Sequence, residues 1–163
     1  MQGGFTLIEL MVTLMVLAIL IGIAVPSYRD ASLSSRLTAY ANDLVASAQL
    51  ARSEAIKRNS PVRLCASEDG TTCAEDVDWN VGWIVITSGD AVLQRQEPLS
   101  AEFRFIEAGG TTELVFPAAV VGVTPASFTV CRADPVGNQE RIVTVTVSGS
   151  ASVARTEEGD CPE

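Results

Sequence analysis

Residues 4–26 read Gly4-Phe5-Thr6-Leu7-Ile8-Glu9-Leu10-Met11-Val12-Thr13-Leu14-Met15-Val16-Leu17-Ala18-Ile19-Leu20-Ile21-Gly22-Ile23-Ala24-Val25-Pro26. Between Phe5 and Val25 only Thr6, Glu9 and Thr13 are polar. A helix of roughly 20 apolar residues, rising about 1.5 Å per residue, crosses the hydrocarbon core of a bilayer. The run is longer than the ~7–15-residue apolar core of a signal peptide, and no Ala-x-Ala-like cleavage site follows it. A retained membrane helix over 5–25 is therefore expected.

Glu9 is the exception within that run. An ionised carboxylate at membrane depth costs about 3 kcal/mol or more unless it is paired. No basic residue shares the stretch. Either the side chain reaches water at the interface, or its counter-ion comes from another molecule.

The segment Gly4-Phe5-Thr6-Leu7-Ile8-Glu9-Leu10 resembles the processing site of type IV pilins and type II secretion pseudopilins. The resemblance implies that residues 1–4 are a leader and that a prepilin peptidase cuts between Gly4 and Phe5. Phe5 then becomes an N-methylated first residue. It also implies that Glu9 pairs with the positive N-terminus of an adjacent subunit. An ammonium supplied in trans neutralises a carboxylate in a low-dielectric layer, where the attraction is strong. Leaders of this family usually carry Lys or Arg before the glycine, and Met1-Gln2-Gly3-Gly4 carries none. Either the leader is unusually short or the start lies upstream, and the positive-inside rule gives the orientation little support.

Pro26 interrupts the apolar run, and inside a helix it removes one hydrogen bond and bends the axis. Pilin helices carry a proline at this place, so the resemblance implies a kink at Pro26 within a helix that continues. Beyond it, Leu33, Leu37, Tyr40, Leu44, Ala48, Ala51 and Ala55 step by three or four and form one stripe. Ser34, Ser35, Asp43, Gln49 and Ser53 lie off it. Glu54 and Arg58 are spaced for an i,i+4 ion pair. Asn59-Ser60-Pro61 ends the pattern. One helix is predicted from Phe5 to Arg58, with an amphipathic continuation over 26–59 that packs on a sheet.

After Pro61 the pattern changes to period two with β-branched residues. Strands are predicted at Val62–Cys65, Trp83–Thr87, Ala91–Arg95, Glu102–Ile106, Glu113–Phe116, Ser127–Cys131, Ile142–Val147 and Ser152–Arg155. Turn signals separate them at Ser88-Gly89-Asp90, Gly109-Gly110, Pro135-Val136-Gly137-Asn138 and Ser148-Gly149-Ser150. The fold class is α+β: one long N-terminal helix on an antiparallel sheet or sandwich over 60–163. This is the type IV pilin-like arrangement that the N-terminal resemblance implies.

Three further segments resemble the GspH/FimT branch of that family. They are Ala51-Arg52-Ser53-Glu54-Ala55-Ile56-Lys57-Arg58, the strand Trp79-Asn80-Val81-Gly82-Trp83-Ile84-Val85-Ile86, and Phe128-Thr129-Val130-Cys131 followed by Arg141-Ile142-Val143-Thr144-Val145. Taken without the resemblance, the first is an amphipathic helix end. Trp83, Phe103, Phe105, Phe116 and Phe128 are then core residues.

Four cysteines, Cys65, Cys73, Cys131 and Cys161, all follow the apolar segment. In an exported domain an even number suggests disulfides. One could close the turn-rich loop between Cys65 and Cys73, leaving Cys131 and Cys161 to tie the tail to a strand. A four-cysteine zinc site would lack any Cys-x-x-Cys knuckle. Free thiols would suit a cytosolic domain. The acidic loops Glu68-Asp69-Gly70 and Glu75-Asp76-Val77-Asp78 do not match EF-hand spacing. No cofactor or metal is implied.

Charge and composition narrow the function. Net charge is −9, and residues 61–163 carry six Arg against sixteen Asp and Glu. Such a body repels phosphate backbones, so general nucleic-acid binding is not expected. Some FimT-like pilins take up DNA through a glycine-arginine-x-arginine motif. The matching place reads Gly149-Ser150-Ala151-Ser152, with Arg155 further on and Glu157, Glu158 and Asp160 after it. The absence of histidine removes a Ser/His/Asp hydrolase, and no Gly-x-Ser-x-Gly, P-loop or dinucleotide motif is present. Nothing selects a carboxylate pair for glycoside hydrolysis.

The resemblance implies a minor pilin of a type IV pilus, FimT/FimU-like and placed at the tip or initiation complex. A GspH-like pseudopilin for protein export is the alternative, and a DNA-uptake or ligand-binding pilin is another. The implied partners are other pilins through the N-terminal helix, prepilin peptidase and inner-membrane lipid, with a single-pass anchor and a periplasmic domain.

Overall fold

The computed structural model describes residues 6–119, 122–134, 137, 139–156 and 161. The long apolar and amphipathic patterns merge into one helix, α1, Leu7–Arg58, with Pro26 inside it. The proline does not end the helix. By contrast, the C-terminus of α1 is a definite stop. Asn59 takes a left-handed conformation at φ 48°, Ser60 N–H donates to the Ala55 carbonyl and Asn59 N–H to that of Ile56. This is the Schellman arrangement, and Pro61 follows it directly.

Among the described residues eight strands come next: β1 Val62–Ala66, β2 Trp83–Thr87, β3 Val92–Gln96, β4 Phe103–Glu107, β5 Glu113–Phe116, β6 Ala126–Arg132, β7 Glu140–Val145 and β8 Ala151–Thr156. A short 3-10 helix, Trp79–Val81, precedes β2. All the strand pairs are antiparallel, in two four-stranded sheets ordered β3-β2-β1-β5 and β4-β6-β7-β8.

Each predicted strand has a counterpart, and the largest correction is β7. The alternation predicts Ile142–Val147, but the strand runs Glu140–Val145. Glu140 is held in the ladder between Cys131 and Thr156. At the other end Gly149 N–H donates to the Thr146 carbonyl and turns the chain. β3 is displaced by one residue, to Val92–Gln96.

The chain forms two compact units, Met1–Ser35 and Arg36–Glu163. In the first, the large apolar side chains from Leu7 to Val25 are solvent-exposed. In the second, Leu37, Ala41, Leu44, Ser47, Ala48, Ala51 and Ala55 form the buried stripe of α1. Tyr40, predicted within the stripe, is only half-buried; its ring meets Phe103 edge-on at 5.3 Å. Trp83 of the first sheet packs edge-on against Phe105 of the second at 5.3 Å. Trp79 meets Phe128 at 4.9 Å. Trp83, Phe103, Phe105, Phe116 and Phe128 are all buried, as core residues must be to offset the entropy of ordering the chain.

Candidate functional site

The residues that carry the predicted chemistry lie at the start of α1. Gly4 and Phe5, the predicted cleavage and methylation positions, lie outside the described residues. Glu9 is described and exposed, in the first turn of α1. Its N–H donates to Thr6 Oγ1 at 3.3 Å, while Glu9 Oε2 accepts from Thr6 Oγ1 at 3.3 Å and from the Thr6 N–H at 3.5 Å. Thr-x-x-Glu here forms a capping box, each side chain serving the other's backbone. Sequence reading placed the partner of Glu9 elsewhere and missed Thr6, although the three-residue spacing signals it. Both Thr6 groups are neutral, so they give Glu9 Oε2 hydrogen bonds and supply no counter-charge.

The helix that carries Glu9 is long and apolar enough to cross a membrane. Thr13 and Ser27, in and just past the apolar run, turn their hydroxyls to the backbone. Thr13 Oγ1 donates to the Leu10 carbonyl at 2.8 Å, and Ser27 Oγ to that of Ile23. Glu9 is thus the lone carboxylate of the apolar run 5–25, whose large side chains from Leu7 onward are solvent-exposed.

In the body, Cys65 is bonded to Cys73 and Cys131 to Cys161. Cys65 packs with Ile84 and Ile86, and Cys73 lies against them. The loop closed by this bond is organised by Asp69. Its Oδ1 accepts from the N–H groups of Thr71 and Thr72 at 2.7 and 2.8 Å, and its Oδ2 from Thr72 Oγ1. These bonds, the Thr72 N–H foremost, hold the Asp69 carboxyl well below the usual carboxylate range. Among the described residues no group of three His, Cys, Asp or Glu side chains could hold a metal ion.

Glu54 accepts from Arg58 Nε at 2.7 Å and Lys57 Nζ at 3.2 Å. The Arg58 hydrogen bond, followed by that of Lys57, lowers its carboxyl. The segment that would correspond to a DNA-contacting motif, Gly149–Ser152, forms the β7–β8 turn and the start of β8. There Arg52 Nη1 of α1 reaches Ser150 Oγ at 3.3 Å.

Two family models match the chain: type II transport protein GspH over residues 40–151 and the prokaryotic N-terminal methylation motif over residues 1–25. A type IV major alpha-pilin of Moraxella bovis is 34% identical over 76 residues, 47% of this chain and 46% of that protein. The match thus spans about half the length of that curated relative. The crystal structure of the Pseudomonas aeruginosa type IV minor pilin FimU superposes with a TM-score of 0.57 at 22% identity, covering 72% of this chain and 92% of that one. The minor pseudopilin EpsH of the Vibrio cholerae type 2 secretion system gives 0.55 at 12% identity, covering 72% and 95%. At these identities the two structures establish the shared fold. With the GspH model covering most of the body and the methylation motif covering the start of α1, the chain belongs to the type II transport protein GspH family of pilin-like subunits.

Proposed function

We propose that this chain is a minor pilin of a type IV pilus, of the FimT/FimU kind. In this reading prepilin peptidase removes residues 1–4 and methylates Phe5. Residues 5–25 hold the subunit in the inner membrane, with residues 26–59 continuing the helix and residues 60–163 folded in the periplasm. On assembly α1 packs against the helices of other pilins, and Glu9 exchanges its neutral Thr6 partners for the ammonium of an adjacent N-terminus. The observation that carries the reading is the single carboxylate, Glu9, five residues past Gly4 on an exposed apolar helix. A charge there costs too much to retain without a partner that neutralises it.

The two disulfides suit a domain that works outside the reducing cytosol, a condition that the pilus and the secretion pseudopilus share. A pseudopilin for protein export remains the second reading, supported by the GspH family model. Replacing Gly4 is expected to block maturation, seen as an unshifted band on a gel, and normal processing of that variant would overturn the proposal. Glu9→Lys is expected to reach the membrane folded and to fail in assembly. Deleting the gene and scoring twitching against protein secretion separates the two systems.

A further inference from the structure

β4 is the outer strand of its sheet. Ala108 N–H donates to the Ser127 carbonyl and Ala133 N–H to that of Glu102, and both pairs continue the β4–β6 register. Hydrogen-bonded and non-hydrogen-bonded pairs alternate along an antiparallel ladder. The main-chain groups of Arg104 and Ile106 therefore bond to β6, while those of Phe103, Phe105 and Glu107 stand on the outer edge. Phe103 N–H donates to the Ser100 carbonyl, Phe105 N–H to Asn80 Oδ1 at 2.6 Å, and Gly110 N–H to the Glu107 carbonyl at 3.4 Å. The Phe105 carbonyl and the Glu107 N–H have no hydrogen-bond partner among the described residues.

This edge borders a cavity of about 540 Å³, within the range of about 300–1,000 Å³ usual for ligand clefts. The chain from Asp76 to Asn80 lines it together with β4. Three carboxylates, Asp76, Asp78 and Glu107, stand there against one guanidinium, Arg104. Glu107 Oε2 is held by the Gly109 and Thr111 N–H groups at 2.8 and 2.6 Å. The Asp76 and Asp78 carboxylates are exposed and make no hydrogen bond or ion pair among the described residues. The chemistry of the lining narrows the occupant. Among the described residues no three acidic, His or Cys side chains could hold a metal ion. The aromatic rings of the lining, Trp79 and Phe105, are buried, and the Trp79 indole N–H donates to the Thr111 carbonyl at 2.8 Å. Neither ring offers a sugar an open face to stack on.

We infer that this cleft receives an extended segment of a partner protein, rich in Lys or Arg, which adds to β4 as a further strand. An exposed strand edge is a template for such addition. A parallel neighbour places one residue between a carbonyl and the N–H two positions further on, and the Phe105 carbonyl and Glu107 N–H have that spacing. An antiparallel neighbour would need both main-chain groups of a single residue. Asn80 already takes the Phe105 N–H, and Gly110 the Glu107 carbonyl. Asp76 and Asp78 supply counter-charges for basic side chains that flank the docked residue. A second copy of this chain is disfavoured, because residues 61–163 carry sixteen acidic residues against six arginines. The inference does not depend on the pilus reading, since the cleft belongs to the folded body.

The test uses the full-length protein in detergent and a fluorescein-labelled heptapeptide of alternating Lys and Val. Fluorescence anisotropy at low salt is expected to show binding of this peptide and none of its Glu and Val counterpart. The double variant D76N/D78N is expected to bind about tenfold more weakly. Asn tolerates the left-handed φ of 55° at position 76, so the variant keeps its fold, which circular dichroism checks. A fully N-methylated Lys and Val peptide keeps the charge and loses its N–H donors. It is expected to bind about tenfold more weakly than the parent. In amide exchange the bound peptide should slow the Glu107 N–H about fivefold or more, and leave the Gly109 N–H, already bonded in its loop, unchanged. No binding of the Lys peptide, equal binding of the Glu peptide, or full affinity in D76N/D78N would overturn the site. Binding that survives N-methylation without slowing Glu107 would mean charge attraction alone and would overturn the strand addition. Failed maturation or assembly in cells bears on the pilus reading and leaves these outcomes unaltered.

Discussion

The Trp83 indole Nε1 donates a 2.9 Å hydrogen bond to Ser47 Oγ, with both residues fully buried between α1 and β2. Ser47 Oγ in turn donates to the Asp43 carbonyl at 2.8 Å. The serine hydroxyl is therefore both donor and acceptor, and the indole N–H is satisfied inside the core. Without Ser47 the N–H would be stranded, because the surrounding stripe is alanine and leucine.

Ser47→Ala is expected to destabilise the protein by about 1–3 kcal/mol, the cost of a buried donor left unpaired. Trp83→Phe removes the donor and a large apolar surface together. In the double variant the stranded N–H no longer exists, so the two losses should add to less than their sum, by about 1 kcal/mol. Denaturant unfolding followed by circular dichroism measures all four proteins. Strict additivity would show that the bond contributes nothing to stability.

That bond also marks where sequence reading stopped. Apolar spacing places Leu37, Leu44, Ala48, Ala51 and Ala55 on the buried face of α1, and the structure buries them. Nothing local singles out Ser47, since its partner lies 36 positions further along the chain. The strands were legible to within one or two residues, because period two and turn residues are local signals. Their grouping was not. β4 leaves the first sheet to pair with β6, while β5 returns to pair with β1, and no local pattern encodes that exchange. Glu9 was legible as an anomaly, but the buried Arg141 was not, since a strand arginine reads as solvent-facing until its cross-strand neighbour is known.

Gly82 has φ 98°, and a Cβ there would strike the carbonyl oxygen of Gln96 in β3. The 3-10 helix ends at this residue, and Trp83 begins β2 immediately after it. Gly82→Ala therefore meets both a left-handed backbone and an immovable main-chain neighbour. A loss of about 2–4 kcal/mol is expected. Because Trp79 and Trp83 flank the site, the variant should also show an altered tryptophan emission in the native state. Wild-type stability in this variant would mean that the turn relaxes freely.

The Cys131–Cys161 bond closes a sequence separation of 30, against 8 for Cys65–Cys73. In the chain-entropy account the longer closure stabilises by about 1 kcal/mol more. The shorter one, however, packs on Ile84 and Ile86. Replacing Cys65 and Cys73 by alanine leaves a cavity beside those side chains, and replacing Cys131 and Cys161 frees the chain beyond β8. The second variant is expected to gain a tryptic cut after Arg155 under native conditions. The first should lose stability without that cut. Identical digestion patterns would contradict the assignment of the tail to Cys131.

Asp69 gives a prediction in pH. The Thr71 and Thr72 N–H groups bind its ionised form, so its carboxyl is depressed in the folded protein and close to about 3.9 in the unfolded chain. For a depressed carboxylate, the stabilisation is complete above the unfolded value and is lost as pH falls through the folded one. Asp69→Asn keeps an acceptor oxygen and removes the charge. Wild type should therefore exceed this variant in thermal midpoint at pH 7. The gap should begin to close below about pH 4 and continue closing into stronger acid. Glu54, also lowered by its Arg58 and Lys57 bonds, contributes equally to both proteins, so the difference isolates Asp69. A gap that stays constant from neutral into acid would mean that the loop amides do not favour the carboxylate over its protonated form.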